Sequence, residues 1–131
     1  MQIDHIGYAV KKLDRAMEGF QRLGFQARGA VTEDYDRNIR ICFVEKDGYV
    51  IELVAALDAG RESPVDGVLA KNGPAAYHVC YRSPQFEADI ERMERDGYRV
   101  IVPPREAAAF EGRRVVFLMH LSVGLIEIVE E

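Results

Sequence analysis

The sequence predicts an α+β fold in which two tandem β-α-β-β-β modules form a cupped mixed sheet around a metal site. Three observations carry this expectation: an internal repeat, a switch from strand to helix periodicity within each repeat, and a His and a Glu at matching places in both. The chain has 131 residues, of which 48% are hydrophobic and 30% charged. That length suits one domain, and the composition is that of a globular protein rather than a disordered or collagenous one.

The repeat decides the architecture. His5-Ile6-Gly7-Tyr8 recurs as His78-Val79-Cys80-Tyr81. In the same frame Leu13, Met17 and Phe20 answer to Phe86, Ile90 and Met93, and Gly24-Phe25 to Gly97-Tyr98. After one inserted residue Arg40-Ile41-Cys42-Phe43-Val44 matches Arg114-Val115-Val116-Phe117-Leu118, and after another Ile51-Glu52-Leu53-Val54 matches Ile126-Glu127-Ile128-Val129. A single domain therefore divides into a first module of about residues 1–57, a linker of about 58–76 and a second module of about 77–131.

Each module reads on its own. Residues 3–10 are a short β-rich run, and Leu13, Ala16, Met17, Phe20 and Leu23 then form the apolar stripe of an amphipathic helix. Gly24 ends that helix as a C-terminal cap. Strands are expected at 39–45 and 49–55, joined by Lys46-Asp47-Gly48, where Asp-Gly supplies the positive φ angles of a tight hairpin. The second module gives a strand at 77–82, a helix over about 84–96 with Pro84 in its first turn, and strands near 98–102, 113–119 and 124–129. Gly60, Pro64, Gly67, Gly73 and Pro74 mark the linker.

Lys and Arg total 17 against 22 Asp and Glu, a net charge of −5, and no basic run relieves it, so a nucleic-acid partner is not expected. Asp4 stands where a secretory leader needs basic residues, and no apolar stretch approaches the roughly 18 residues that span a bilayer. No membrane association and a cytoplasmic location are expected, with Cys42 and Cys80 as reduced thiols.

One helix covers one face of each module's sheet, so the other face is buried elsewhere or lines a cavity. Strand parity puts His5 with Gly7 and Ala9, and sends Ile6, Tyr8 and Val10 toward the helix. His78 lies with Cys80 in the same way. Ile51 and Leu53, or Ile126 and Ile128, are the helix-facing set, which leaves Glu52 and Glu127 on the inner face. Each of the four, taken singly, is an ordinary polar residue of a strand. Together they differ, because Glu52 and Glu127 interrupt apolar runs where a charge is costly unless paired or metal-bound. Mutual His–Glu hydrogen bonding answers that cost in part. A divalent ion answers it better, and two His with two Glu leave two octahedral positions for water or substrate oxygens.

The paired modules, with His5 and His78 at their starts and Glu52 and Glu127 at their ends, resemble the vicinal oxygen chelate superfamily over essentially the whole chain. That family has the glyoxalase/bleomycin resistance/dioxygenase fold and includes glyoxalase I, methylmalonyl-CoA epimerase, extradiol dioxygenases and antibiotic-resistance proteins. The resemblance makes His5, Glu52, His78 and Glu127 the four ligands of one divalent ion, Zn, Ni, Co or Mn. Extradiol dioxygenases use only three, so the quartet points away from them. Glu62-Ser63-Pro64-Val65, Val68-Leu69-Ala70-Lys71, Tyr77-His78-Val79-Cys80 and Gly112 to Leu118 are similar to the epimerase branch. Tyr77 departs from it by replacing a His, and Ala107 to Gly112 stands where epimerases carry a Gly-Ala-His-Gly loop.

The resemblance thus implies an isomerase or epimerase that moves a proton α to a carbonyl through a metal-stabilised enolate, acting as a homodimer on a small carbonyl or thioester substrate. Glu127 is the first choice of base and Glu52 the second, with the acidic run Glu33-Asp34-Tyr35-Asp36, otherwise read as a solvated loop, as another source of an acid/base group. Glyoxalase I-type isomerisation of a thiol hemithioacetal, or non-catalytic sequestration of a ligand, are the alternative activities. Among the remaining polar residues, Cys80 reads as a small buried thiol and His120 as exposed in a turn over 119–123. Arg40 and Arg114 are candidates for a carboxylate or phosphate whose face parity leaves open.

Overall fold

Alternating burial along short strands, with one helix to cover each apolar face, is realised twice in the computed structural model, which describes residues 1–131. Internal contacts divide the chain into a first unit, His5–Tyr77, and a second unit, Met1–Asp4 with His78–Glu131. The stretch expected as a linker thus belongs to the first unit, and the first four residues to the second. The elements in order are β1 (Gln2–Ala9), α1 (Leu13–Arg22), β2 (Gln26–Asp34), β3 (Ile39–Lys46), β4 (Tyr49–Ala56), α2 (Asp66–Asn72), β5 (Ala75–Ser83), α3 (Phe86–Arg95), β6 (Arg99–Glu106), a 3-10 turn at Ala108–Phe110, β7 (Arg114–His120) and β8 (Gly124–Glu130). None of the helices is long and apolar enough to cross a membrane.

In the first unit β2, β3 and β4 form antiparallel neighbours and β4 returns parallel to β1, with Gly7 beside Glu52. The second unit repeats the topology: β6, β7 and β8 are antiparallel neighbours and β8 runs parallel to β5, with Cys80 beside Glu127. The strands of each unit are paired in both senses, parallel and antiparallel, and carry that unit's helix on one face. In the first unit Val10, Leu13, Cys42, Val44, Leu53 and Ala55 pack together with Tyr8, Met17 and Phe20. In the second, Phe86, Ile90 and Met93 of α3 pack on Val116, Leu118, Ile126 and Ile128. These are the helix-facing sets that strand parity indicated. At the start of β1, Asp4 Oδ1 lies 3.1 Å from Arg82 Nε and Gln2 Oε1 accepts from Arg82 Nη2 at 3.3 Å, which explains why those residues group with the second unit.

Both long helices end the same way. Gly24 (φ +100°) follows α1 and Gly97 (φ +98°) follows α3. The Phe25 N–H donates to Phe20 O and the Tyr98 N–H to Met93 O, closing carbonyls that the last turn leaves open. Only glycine takes that backbone without strain. The Phe20 and Phe25 rings then meet edge-on at 5.2 Å, so the cap also aims an aromatic into the core.

The structure adds elements that the sequence did not declare. β2 has no counterpart among the expected strands, since nearly all its side chains are exposed and it pairs with β3 alone, so it carries no alternation. Its end corrects the reading of the acidic run as loop: Glu33 and Asp34 are in the strand, and the buried Asp34 accepts from the Arg37 N–H at 3.1 Å. α2 lies within the expected linker; none of its residues is buried, so it has no apolar stripe to announce it. α3 starts at Phe86 rather than in a first turn containing Pro84, because Ser83 Oγ accepts from the Gln85 N–H and holds the chain in a turn before the helix. His120 is half-buried at the end of β7, its ring 4.7 Å from that of Tyr98 and its Nδ1 accepting from the Ser122 N–H, instead of solvent-exposed in the turn.

Asn38, in the turn between β2 and β3, fastens the segment before α2. Its backbone is left-handed (φ 57°) and the residue is buried; the two hydrogens of its Nδ2 are shared among the carbonyls of Asp58, Arg61 and Glu62, 2.9–3.1 Å away, and its Oδ1 accepts from the Asp58 N–H. Asn38→Ala removes these part-buried hydrogen bonds and is expected to lower stability by about 1–3 kcal/mol, read from urea unfolding; a loss under about 0.5 kcal/mol would remove this role.

Ser83 Oγ also donates to Asp89 Oδ2 at 2.6 Å, and Arg92 Nη2 to Asp89 Oδ1 at 2.8 Å. The hydroxyl first and the guanidinium second hold the Asp89 carboxyl below its ordinary value of 3.8. The folded state therefore releases this proton more readily than the unfolded one. The resulting stability is present in full above the ordinary value and is lost as pH falls through it toward the folded value. Ser83→Ala is expected to flatten the fall in unfolding free energy between about pH 5 and pH 2; an acid limb identical to wild type would place the dependence elsewhere.

Candidate metal centre

Each unit brings one imidazole and one carboxylate together on the sheet face opposite its helix. In the first unit β1 turns His5 away from the set Tyr8 and Val10, and β4 turns Glu52 away from the set Ile51 and Leu53, so both emerge on the same face. His5 Nε2 lies 3.6 Å from Glu52 Oε1, and both residues are buried. In the second unit β5 and β8 do the same for His78 and Glu127, with His78 Nε2 3.0 Å from Glu127 Oε2 and both again buried. The parallel register leaves small residues, Gly7 and Cys80, beside the two carboxylates.

An aromatic ring completes each pair, and its part was not assigned from the sequence. Phe43 is the β3 register partner of Glu52 and meets the His5 ring at 5.4 Å, nearly perpendicular at 79°. Phe117 is the β7 partner of Glu127 and meets the His78 ring at 5.4 Å and 90°. These edge-to-face contacts fix the imidazole planes while leaving Nε2 directed at the carboxylate. The signal was available: Phe43 and Phe117 are equivalent positions of the repeat and share strand parity with the inner face.

The donor chemistry suits a divalent cation of borderline softness, since a buried imidazole nitrogen beside a buried carboxylate oxygen is a characteristic pairing for such ions. A carboxylate on a strand between apolar neighbours also needs a positive partner.

The other polar candidates fall elsewhere. Arg114 faces α3, where its guanidinium lies over the Phe86 ring and is held by Glu87 and Glu130, which keeps it protonated and pushes both carboxyls below their ordinary range. Arg40 likewise shares the parity of Cys42 and Val44 on the α1 side. Cys42 is buried in that helix-facing core, where burial pushes its thiol up and leaves it unreactive. Cys80 is fully buried on the His78 side, and neither cysteine forms a disulfide. The segment that departs from the epimerase loop is a tight turn, with Ala107 and Phe110 buried and Arg113 Nε donating to Phe110 O.

Residues 4–117 match the family described as Glyoxalase/Bleomycin resistance protein/Dioxygenase superfamily. An ethylmalonyl-CoA/methylmalonyl-CoA epimerase of Cereibacter sphaeroides is 29% identical over 119 residues, which cover 89% of this chain and 87% of that protein. The crystal structure of methylmalonyl-CoA epimerase from Mycobacterium tuberculosis superposes with a TM-score of 0.81 at 29% identity, covering 98% of this chain and 87% of that one. A variant of the Streptomyces coelicolor methylmalonyl-CoA epimerase, in complex with 2-nitronate-propionyl-CoA, gives 0.82 at 27% identity, covering 100% and 97%.

Proposed function

Since the chain belongs to the Glyoxalase/Bleomycin resistance protein/Dioxygenase superfamily, we propose that it is a divalent-metal-dependent epimerase of an acyl-CoA thioester, of the methylmalonyl-CoA epimerase kind. The observation that carries this reading is the buried His–Glu pair, present once in each unit with the same flanking aromatic. The epimerases among its relatives supply the substrate class.

In this reading His5, Glu52, His78 and Glu127 are the ligands of one ion, Zn, Ni, Co or Mn. Such an ion supplies Lewis acidity toward a carbonyl oxygen, which lowers the cost of removing the neighbouring proton. Everything else falls to the chain. Phe43 and Phe117 hold the imidazoles in plane. Glu127, loosened from the ligand set, takes the proton from the carbon α to the thioester carbonyl, because a general base has to stand within hydrogen-bonding reach of the reacting group with an oxygen free to receive it. Inversion then requires a proton to be delivered to the other face of that carbon. Glu52, the equivalent residue of the other module, is assigned to it, acting in its protonated form and likewise free of the ligand set at that step. Asp34 does not compete for this work, since its carboxylate is engaged with Arg37.

The test is incorporation of solvent deuterium at the α-carbon of methylmalonyl-CoA, measured beside methylglyoxal–thiol isomerisation on the same preparation. Wild type is expected to exchange deuterium and epimerise the thioester while leaving the hemithioacetal unchanged. Glu127→Gln is expected to lower exchange by about 100-fold or more while keeping most of the metal, as measured by elemental analysis. Full exchange in Glu127→Gln would remove that residue from the base role. Negligible metal in protein purified without chelator would remove the ligand set, and preference for the hemithioacetal would replace the epimerase reading with the glyoxalase one.

A further inference from the structure

The two units are built on one plan, which makes an unmatched charge informative. In the second unit the arginine that opens β7, Arg114, is closed over by two carboxylates: its Nε and Nη2 donate to Glu130 and its Nη2 also to Glu87. The equivalent arginine of the first unit is Arg40. There the repeat replaces Glu130 by Ala55 and Glu87 by Asp14, and it adds Lys11, Lys12 and Arg15 where the second unit has Pro84, Gln85 and Ala88. Arg40 makes no hydrogen bond or ion pair, and its Nε is buried without a partner. Glu33, its register partner on β2, does not reach it and instead accepts from the Tyr35 hydroxyl.

Arg40, Lys11, Lys12 and Arg15 line an open hollow of about 330 Å³ beside the start of α1, with Asp14 as its one carboxylate and Ala55 in its wall. Four cations face one acid in a chain whose net charge is −5. A guanidinium N–H that is shielded from solvent and lacks an acceptor is costly, and an entering anion removes that cost. The hollow lies on the α1 face of the first unit's sheet, whereas His5 and Glu52 occupy the opposite face. It is therefore separate from the proposed reaction site.

We propose that this hollow is an anion site that takes the diphosphate group of a small metabolite. A lone carboxylate would satisfy Arg40 but leave the three flanking cations uncompensated. A diphosphate carries enough negative charge to meet several of them at once and presents pairs of oxygens to the guanidinium fork. Free pyrophosphate and a nucleoside diphosphate both present this group.

Inorganic pyrophosphate and ADP, titrated separately into the isotope-labelled, metal-loaded protein, distinguish the two sources. Saturable amide shifts confined to residues 11–15, 40 and 55–56 are expected, and tighter binding of ADP would assign a nucleotide rather than the free anion. Arg40→Gln is expected to weaken binding about tenfold or more. Because that residue is half-buried, the exposed pair Lys12→Gln with Arg15→Gln serves as the second variant, with a similar weakening and a shallower salt dependence than wild type. Shifts centred on residues 52 and 127 instead, affinity unchanged in both variants, or no saturable binding of either probe would each overturn the proposal.

Discussion

The structure depends on a carboxylate placed where a strand demands an apolar residue. Glu52 sits between Ile51 and Leu53, and Glu127 between Ile126 and Ile128, on strands that have neighbours on both sides and a helix over one face. Such a group is tolerated only if something positive or hydrogen-bonding meets it. The partner comes from the one strand that runs parallel beside it: His5 from β1, His78 from β5. The β-α-β-β-β order follows from the same need, because the parallel return brings the last strand of each module beside its first. Small residues at Gly7 and Cys80 then leave room beside the carboxylates, and Phe43 and Phe117 keep the imidazoles from rotating away.

What could be read in the sequence was whatever obeys period and repetition. His5 and His78, Glu52 and Glu127, and the glycines after α1 and α3 each occur twice in a common frame, so two weak signals strengthened one another. The inner face was legible because strand parity is strict. Edge strands and solvated segments gave no such signal. β2 presents almost all its side chains to solvent and shows no alternation, whereas β6, expected only over about 98–102, runs on to Glu106 through Pro103 and Pro104, where its register with β7 breaks. α2 buries none of its side chains. Asn38 is a different case. One polar residue, in a backbone conformation most side chains avoid, organises a whole loop by hydrogen bonding to the backbone of Asp58, Arg61 and Glu62. Its role depends on tertiary placement, which no local pattern encodes.

Arg40 and Arg114 show where repetition stops being informative. Their equivalence was visible, and so was their shared parity, but not which face that parity meant. The helices settle it: Cys42 and Val44 pack under α1, and Val116 and Leu118 under α3, so both arginines lie on the covered faces and away from the histidines.

The two modules have diverged at this position while holding their inner faces constant. On the inner face, each unit keeps a His–Glu pair with an aromatic ring 5.4 Å from the imidazole, although the His–Glu separation is 3.6 Å in one unit and 3.0 Å in the other. On the helix face, one arginine is locked between Glu87 and Glu130 while its counterpart is surrounded by like charges. A charge cluster of one sign works against folding unless something compensates it, since like charges repel across a short distance and a buried guanidinium forfeits its water. The second unit shows that a carboxylate at the end of the last strand is compatible with this architecture. Alanine at the corresponding place in the first unit therefore leaves the cationic side chains to solvent and to whatever anion enters. The face where the modules differ is thus the place where structure alone does not account for the residues present.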